Sequence, residues 1–495
     1  MSGIAGIYGK CDKHLLLKML EKIKHRGPDN TIILPTDDST FGINLSLIFD
    51  KKELLFNEEG DVCIFFDGFL SNRFALRNAL REKHEFRTNS DGELVLHLYE
   101  ERAEDFIRSL NGMFAFALYD RKNLLLARDP AGLKPLYYGI EDKALYFASE
   151  LKSLVVSGIR EPKTFPPGHT YHSQTRWKKY FNFPEKAIKD SGESAEQIAG
   201  HLWQLFLERV KDYIPKDSTP FGILLSGGID SSAIAAAAMI GENTNMRTFF
   251  VGMENSPDIE YARIVAKHLN TKHKEHILSI EEVERILPKV IYHLESFDFP
   301  LVRSSVAQFL GLEDASKDIR IGLCGEGGDE LFGGYSYLWN IKSEEQLHEE
   351  LIRITFNSGD TGFQRVDRTM AAHSMEGRMP FMDMDIINLA FSISPRLKLC
   401  SKKKITKWIL RKCLEPLLPK EVVWQPKRKF WEGAGMSETI KNIAESQITD
   451  KELEMEFEKN KMANIRTKEE LYCYRLFREY YPESTVQLVG RTLNV

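Results

Sequence analysis

Cysteine pairs, long apolar runs and a basic leader are all missing from this chain of 495 residues. Its six cysteines include no Cys-x-x-Cys pair, which argues against a zinc site and against a disulfide framework. No apolar stretch approaches the roughly 20 residues needed to cross a bilayer. The chain does not open with a basic segment followed by an apolar one, so the sequence predicts no signal peptide. These absences together favour a reduced, cytoplasmic setting.

An excess of either charge is missing as well. The chain has 67 basic and 72 acidic residues and a net charge of −5, which gives no electrostatic argument for a nucleic-acid or membrane partner. Basic runs such as SKKKITK (401–407) are expected to be solvated helix surface. A hydrophobic fraction of 42% and a charged fraction of 28% are typical of a folded protein. The length predicts two or three domains.

The hydrophobic pattern changes between the first third of the chain and the rest. Residues 1–185 contain short apolar or alternating runs, such as MFAFALYD and NLLLARDP, with a few amphipathic segments between them, which predicts a layered α+β domain. A polar stretch at 186–196 is predicted to be a linker. Within 197–495, strand and helix patterns alternate up to about residue 340, and helical patterns follow. The alternation predicts βαβ units, a parallel sheet and a helical C-terminal part.

The motif SGGIDSS (226–232) lies between a predicted strand and a predicted helix. Its glycines allow a sharp turn close to a ligand, its serines add donors, and the helix directs its positive end to the same point. This combination predicts a phosphate-binding loop at the carboxyl end of a parallel strand. A second glycine-rich loop, CGEGGDELFGGY, carries Glu326, Asp329 and Glu330. Carboxylates beside a phosphate site need a cation, and Asp230 and Asp329 are the candidate Mg²⁺ ligands.

With both loops in place, the chain resembles the asparagine synthetase family along its whole length. MSGIAGIYG, HRGPDN, SDGELVLHLYEE, LNGMFAFALYD and PPGHTY resemble its glutamine amidotransferase domain, and DRTMAAHSMEGRMPFMD and WQPKRKF resemble its synthetase domain. The resemblance implies an N-terminal domain of the amino-terminal-nucleophile (Ntn) type, layered αββα, followed by an α/β parallel-sheet domain of the ATP-pyrophosphatase type. It also implies ATP and Mg²⁺ as cofactors and a carbon–nitrogen ligase that forms an acyl-adenylate, with AMP and pyrophosphate as products.

The same resemblance places ten residues around the nucleotide. They are Leu224, Ser226, Gly227, Gly228, Asp230, Ser231, Ser232, Val251, Gly325 and Asp329. The residues of the SGGIDSS loop are expected on the pyrophosphate and its Mg²⁺, and Asp329 is expected as the second metal-binding acid. Leu224 and Val251 are expected beside the adenosine, near Gly325.

Three further residues are assigned to the chemistry by resemblance. Lys427, rather than the nearby Lys429, matches the family's catalytic lysine, whose ammonium would stabilise the charge that develops on the phosphate and the tetrahedral centre. Glu326 matches a glutamate that would handle the amine acceptor. Glu376 matches another glutamate of the site, and a structural ion pair with Arg378 is its alternative role.

One segment departs from the family pattern. In DFPLVRSS, residues 299–301 are apolar where the family usually carries threonines. Arg303 remains and is a candidate partner for the substrate carboxylate. Apolar groups at a substrate wall would change which acid is accepted, so the identity of the acid, aspartate included, stays open.

The family's glutamine pocket is altered at four positions. Ser2 replaces the nucleophilic cysteine, and Leu45 replaces an arginine for the glutamine carboxylate. Asp67 replaces an asparagine that donates to the oxyanion, and Phe69 replaces a glutamate, so Asp91 alone remains of the polar set. An aspartate at an oxyanion hole would place negative charge where negative charge develops, and losing even one donor there costs about 10²–10³ in rate. The resemblance therefore predicts a degenerate glutaminase domain.

These features predict an AMP-forming amide synthetase that adenylates a carboxylate and transfers ammonia or an amine to it. Three alternatives remain: an ammonia-dependent asparagine synthetase, a specialised ligase for a peptide or metabolite carboxylate, and an inactive scaffold or regulatory protein. The intact glycine-rich loops argue against the last. The expected partners are a small-molecule acid and ammonia or an amine, with neither nucleic acid nor membrane. A separate amine-donor protein and a homodimer are left open.

Overall fold

The computed structural model describes residues 1–46, 54–183, 192–242, 246–400 and 404–492. Its first part contains two kinds of element, short strands and short helices, in mixed order. In chain order they are β1 (Ser2–Tyr8), α1 (Lys13–Lys22), β2 (Asn30–Pro35), β3 (Thr40–Leu45), β4 (Leu55–Phe56), β5 (Val62–Leu70), α2 (Arg73–Leu80), α3 (Asp91–Arg102), β6 (Gly112–Asp120), β7 (Asn123–Arg128), β8 (Tyr137–Glu141), β9 (Ala144–Ala148), α4 (Leu151–Ser157), β10 (Lys163–Thr164), β11 (His169–His172) and β12 (Arg176–Lys179).

Two antiparallel six-stranded sheets form the centre of this part. Their strand orders are β10-β8-β9-β1-β3-β2 and β12-β11-β7-β6-β5-β4. Side chains such as Ile4 and Phe41 from the first sheet and Phe65 and Ala115 from the second are buried in one shared core. Helices α1 and α4 pack on the first sheet, and α3 packs on β5 of the second. This αββα order confirms the predicted layered α+β class.

The second part of the chain begins with a long helix and alternates strands with helices before it becomes helical. Its elements are α5 (Ala195–Tyr213), β13 (Phe221–Leu224), α6 (Ile229–Glu242), β14 (Arg247–Met253), α7 (Ile259–His268), β15 (Lys272–Leu278), α8 (Ile280–Leu294), α9 (Phe299–Ala315), β16 (Ile321–Leu323), α10 (Gly328–Phe332), α11 (Glu344–Asn357), α12 (Gly362–Ala372), β17 (Glu376–Arg378), α13 (Met384–Ser392), α14 (Trp408–Leu414), α15 (Lys420–Val423), α16 (Phe430–Gly433), α17 (Thr439–Gln447), α18 (Asp450–Lys459) and α19 (Lys468–Tyr480).

The strands of this second part form one parallel sheet in the order β15-β14-β13-β16-β17. The chain runs outward from β13 through β14 to β15, and then crosses to the other side of β13 for β16 and β17. The strand order therefore reverses between β13 and β16, the place where open α/β sheets bind their ligands. The parallel sheet and the helices that follow it confirm the predicted α/β class.

Two predicted segments differ in detail. The helix predicted over DGELVLHLYEERAEDFIRSL ends at Arg102, because Ala103 adopts a left-handed φ of 47° and a 3₁₀ helix follows. The predicted linker lies outside the described residues up to 191, and α5 begins inside its last positions, where Ser194 accepts a hydrogen bond from the amide of Gln197. The domain boundaries themselves stay predictions. Among the described helices, none combines the length and apolarity that a membrane span requires.

Candidate active site

Two glycine-rich loops meet at the point where the strand order reverses. One joins β13 to α6, and the other joins β16 to α10. A Cβ added at Gly328 would lie 2.4 Å from Oδ1 of Asp230, and one added at Gly325 would lie 2.8 Å from the amide nitrogen of Ser231. Glycine at these two positions therefore lets the second loop lie directly against the start of α6.

The first loop is held by its own serines. Ser226 Oγ accepts from the amide of Gly228 at 3.2 Å, and Ser231 Oγ donates to the carbonyl of Gly228 at 3.1 Å. Gly227 has a φ of +78°, and a Cβ there would meet the amide nitrogen of Ala262 at 2.4 Å. The loop is thus fixed as a sharp turn whose amides and hydroxyls lie at the positive end of α6, as a phosphate-binding loop requires.

The other predicted nucleotide residues lie around this turn. Leu224 ends β13, and Val251 lies in the neighbouring β14, where both are only partly buried. Ser232 Oγ is buried and has no hydrogen-bond partner among the described residues. The structure therefore brings the ten predicted residues to one edge of the parallel sheet; their contacts with a nucleotide stay a prediction.

Two aspartates and two lysines, called here the charged quartet, lie between the loops: Asp230, Asp329, Lys407 and Lys427. Lys407 Nζ contacts Asp230 Oδ2 and lies 2.6 Å from Asp329 Oδ1. Lys427 Nζ lies 2.8 Å from Asp329 Oδ2. The two candidate metal ligands are thus brought together by a lysine that bridges them, and the quartet has no net charge.

Burial and these contacts shift the ionisation of the charged quartet. Burial raises the pKa of Asp230, an effect that Lys407 opposes. For Asp329, Lys407 and Lys427 outweigh the effect of burial and hold the pKa of the carboxyl below its usual value. The same ion pairs overcome the effect of burial on Lys427 and raise its pKa to about 12. Lys427 therefore presents an ammonium group at neutral pH, beside a loop shaped for phosphate.

The donor set fits ATP with Mg²⁺. Oδ1 of Asp230 is buried and has no hydrogen-bond partner among the described residues, so one hard oxygen is available to a cation. Asp230 and Asp329 would hold the Mg²⁺, and the two lysines would face the phosphate oxygens. When bound, Mg²⁺ supplies charge neutralisation on the departing pyrophosphate.

Lys407 is the site residue that the sequence analysis missed. It ends the SKKKITK run, which was expected to be solvated surface; 401–403 lie outside the described residues, but Lys407 is fully buried. It also has a left-handed φ of 55° at the N-cap of α14, a conformation that costs a non-glycine residue free energy. A short basic run gives no signal that one of its members turns inward between two acids.

The second loop separates its three acids. Glu326 is paired with Arg365, and Glu330 accepts from the Tyr335 hydroxyl at 2.5 Å. Burial raises the pKa of Glu330 to about 7. Only Asp329 of the three joins the charged quartet. The Glu326 carboxylate is engaged by the Arg365 guanidinium, so its role with the amine stays a prediction that this geometry does not strengthen.

Two other predicted residues are already paired. Glu376 accepts from Arg378 Nε at 2.6 Å and from the α-ammonium of Met1 at 3.1 Å, and these pairs lower its pKa to about 2 although burial alone would raise it. The ion pair named as its alternative role is thus present, and a role in the chemistry stays a prediction. Arg303 makes a bidentate pair with Glu469, at 2.7 and 2.5 Å. Its guanidinium is therefore engaged within the protein, and the role of Arg303 as the substrate's carboxylate partner stays a prediction.

The amino-terminal pocket is filled by a buried ion network. Asp67 is 2.8 Å from Arg26 Nη2 and 3.6 Å from Lys134 Nζ, and its other described contact is the amide of Ser2, at 2.9 Å. Arg26 also binds Asp367 of the second part at 2.7 Å. The carboxylate expected at the oxyanion position is present, but two cations balance its negative charge. These contacts also fix the carboxylate, which has no hydrogen to donate to a substrate.

The side chains at the other pocket positions, Leu45, Phe69 and Asp91, are buried in the protein. Leu45 lies buried in the apolar layer between the two sheets. Phe69 is buried, with the guanidinium of Arg378 3.7 Å from its ring centre. Asp91 accepts from the amide of Leu70 at 2.8 Å, and burial raises its pKa to about 6. These side chains offer no arginine or glutamate with which to hold a glutamine.

An αββα domain joined to a parallel sheet, with a lysine–carboxylate cluster between two phosphate-type loops, defines an ATP-dependent synthetase that carries an amidotransferase-like domain. The model described as "Glutamine amidotransferase domain" matches residues 1–168, and the model described as "Asparagine synthase" matches residues 201–351 and 339–484. The chain belongs to the asparagine synthase family and is a carbon–nitrogen ligase that converts ATP to AMP and pyrophosphate.

Relatives match over almost the whole chain. Asparagine synthetase B [glutamine-hydrolyzing] of Escherichia coli (strain K12) is 34% identical over 94% of this chain and 88% of its own length. Asparagine synthetase [glutamine-hydrolyzing] of Triphysaria versicolor is 33% identical over 99% of this chain and 88% of its own length. A probable asparagine synthetase [glutamine-hydrolyzing] of Dictyostelium discoideum is 33% identical over 94% of this chain.

Proposed function

We propose that the chain makes an amide from a small carboxylic acid and free ammonia at the expense of ATP. The substrate carboxylate oxygen attacks the α-phosphorus of ATP, the bond to pyrophosphate breaks, and an acyl-adenylate forms. Ammonia then attacks the acyl carbon, loses a proton and displaces AMP. The observation that carries the proposal is the charged quartet between the two glycine-rich loops, because it supplies both carboxylates for Mg²⁺ and ammonium groups for phosphate.

Ammonia is proposed as the nitrogen source because of the contact between Ser2 and Asp67. An amino-terminal nucleophile uses its own α-amino group as the base. In a chain processed at Met1, the nitrogen of Ser2 is that group, and it lies 2.9 Å from a carboxylate. A carboxylate at this distance favours the protonated ammonium, which cannot accept a proton. The relatives are named glutamine-hydrolyzing, so glutamine is the competing source.

Aspartate is the first acid to test, because the relatives are named asparagine synthetases. The apolar residues that replace family threonines do not argue strongly against it. Leu301 is buried in a core cluster with Val302 and Val306, so its side chain packs into the protein rather than forming a substrate wall. A peptide or metabolite carboxylate is the second choice. The amine-donor protein and the homodimer stay predictions.

The test measures AMP, pyrophosphate and amide with Mg²⁺–ATP and a panel of acids that begins with aspartate. Each acid is given ammonium or glutamine, with the wild type and with Ser2→Ala. We expect amide with ammonium, little with glutamine, and no effect of Ser2→Ala on either. Glutamine-supported synthesis that Ser2→Ala abolishes would overturn the ammonia proposal. ADP and phosphate as products would overturn the adenylation step.

A further inference from the structure

Two histidines and two glutamates meet on the outside of the amino-terminal domain. Glu58 lies in the turn between β4 and β5, His84 follows α2, and His97 and Glu100 lie on α3. One ligand atom from each of the four lies within 4.8 Å of all the others. We call this group the His–Glu cluster.

Four nitrogen–oxygen separations in the cluster are close to those between ligands of a tetrahedral metal site. Nδ1 of His97 is 3.0 Å from Glu100 Oε2 and 3.6 Å from Glu58 Oε2. Nδ1 of His84 is 3.7 Å from Glu100 Oε2 and 3.4 Å from Glu58 Oε1. Zinc binds nitrogen and oxygen at about 2.0–2.2 Å, and tetrahedral ligands at that distance are about 3.3–3.6 Å apart. The four separations lie on both sides of that value.

Two members of the His–Glu cluster, His84 and Glu100, also have the outer contacts that orient metal ligands. His84 uses Nδ1 toward the cluster and its Nε2 lies 3.3 Å from Glu101 Oε1, an arrangement of carboxylate, histidine and ligand atom that fixes the ring. Glu100 points Oε2 into the cluster while Oε1 accepts from Asn57 Nδ2 at 2.9 Å. A surface ion pair needs neither of these contacts. The His97 side chain is only 2% exposed, so this ligand is held rigidly.

We propose that the His–Glu cluster binds one zinc ion, or a divalent transition metal of similar chemistry, as a closed structural site. Two imidazole nitrogens and two carboxylate oxygens complete a tetrahedron and leave no open position for catalysis. The metal ties the β4–β5 turn to α3 and to the segment after α2. The cysteine pattern excludes only zinc sites built from cysteine pairs, and a His₂Glu₂ set drawn from three separate segments has no recognisable spacing.

The test measures bound metal on the full-length protein after chelator treatment, zinc addition and removal of free zinc. We expect one zinc per chain and a higher melting temperature with zinc than without. Glu58→Gln, at a partly exposed position that leaves the core intact, and His97→Gln are each expected to weaken zinc affinity by at least about 100-fold. Cobalt in place of zinc should give the intense visible absorption of a tetrahedral complex.

The matched control is His201→Gln, which removes another histidine that pairs with a glutamate, 3.0 Å away on the surface. It should leave the zinc content unchanged, and so should Asp329→Asn, which removes a ligand of the synthetase site. A wild-type protein that retains no zinc, or a Glu58→Gln variant that retains as much as wild type, would overturn the proposal. Zinc that is lost with Asp329→Asn would place the metal in the synthetase site instead.

Discussion

The amino-terminal pocket and the synthetase site both contain buried charged side chains, but the two regions differ in whether the buried carboxylate oxygens have partners. In the pocket, Asp67 is bound by Arg26 and Lys134 and contacts the amide of Ser2. In the synthetase site, Asp230 keeps a buried oxygen without a hydrogen-bond partner among the described residues. Removing one member of a set of buried charges that pair with one another destabilises a fold, whereas a buried oxygen without a partner has a cost that binding of a cation can offset.

The difference also separates two explanations for a buried aspartate. Removing a carboxylate that serves a ligand should remove activity and leave the fold intact. Removing one that serves the fold should lower stability and leave the chemistry unchanged. Four substitutions, from the largest expected effect to the smallest, test whether the two regions divide in this way.

The largest effect is expected from Asp329→Asn, which weakens Mg²⁺ binding and removes the negative charge that pairs with Lys407 and Lys427. Formation of AMP and pyrophosphate should fall together by at least about 100-fold. Product analysis with saturating Mg²⁺–ATP measures both. The control is Asp450→Asn, since that side chain is 88% exposed, and it should behave as wild type. A variant that keeps more than a tenth of wild-type activity would remove Asp329 from the metal site.

A smaller loss is expected from Lys427→Ala. Its ammonium lies in the charged quartet and would stabilise developing negative charge, so the overall rate should fall by about 100-fold. Lys429→Ala is the matched control, because the Lys429 ammonium lies over the Trp431 ring at 5.6 Å instead. Its rate should stay close to that of wild type. Equal losses in the two variants, measured as pyrophosphate release, would contradict the separate placement of these lysines.

The parallel sheet and the position of the nucleotide loops were predictable because each depends on local pattern. Alternating strands and helices dictate a parallel sheet, and a glycine-rich turn after its first strand marks the ligand edge. A local sequence pattern does not predict which partner a charged side chain will have. Arg303 could be paired with a substrate or with Glu469, and Lys407 could face solvent or Asp230; these choices depend on residues far apart in the chain. The His–Glu cluster was not predicted for the same reason, because its four residues come from three separate segments of the chain.

The third prediction concerns stability in the amino-terminal pocket. Asp67→Asn leaves Arg26 and Lys134 with one negative partner fewer in a fully buried network, so the free energy of unfolding should fall by about 3 kcal/mol. Denaturant unfolding of the synthetase measures it, with Asp105→Asn as a control because that side chain is 79% exposed. Restoring the asparagine should not bring glutamate release from glutamine, since Leu45 still offers no partner for the glutamine carboxylate. Glutamate release by this variant would mean that Asp67 alone prevents glutamine hydrolysis and that the rest of the pocket can still bind glutamine.

The smallest effect is expected from Asp91→Asn, and it has the opposite sign. Burial raises the pKa of Asp91 to about 6, while an unfolded aspartate has a pKa of about 3.9. Between these values the folded protein binds more protons than the unfolded chain, so the contribution of Asp91 to stability is lost as the pH rises through 6. Asparagine carries no such charge and can still accept from the amide of Leu70. The variant should therefore be more stable than wild type at pH 7.5, by about 1–2 kcal/mol.

The pH dependence distinguishes this cause from a general improvement in packing. The gain from Asp91→Asn should shrink as the pH is lowered from 7.5 toward 5, because the wild-type carboxyl becomes protonated and the two side chains become alike. Thermal unfolding at several pH values measures the difference. A gain that is the same at every pH would mean that charge is not its cause, and a loss at pH 7.5 would mean that the carboxylate still serves the fold. Stabilisation without loss of ligase activity would show that the Asp91 carboxylate lowers the free energy of unfolding and is not required for the ligase reaction.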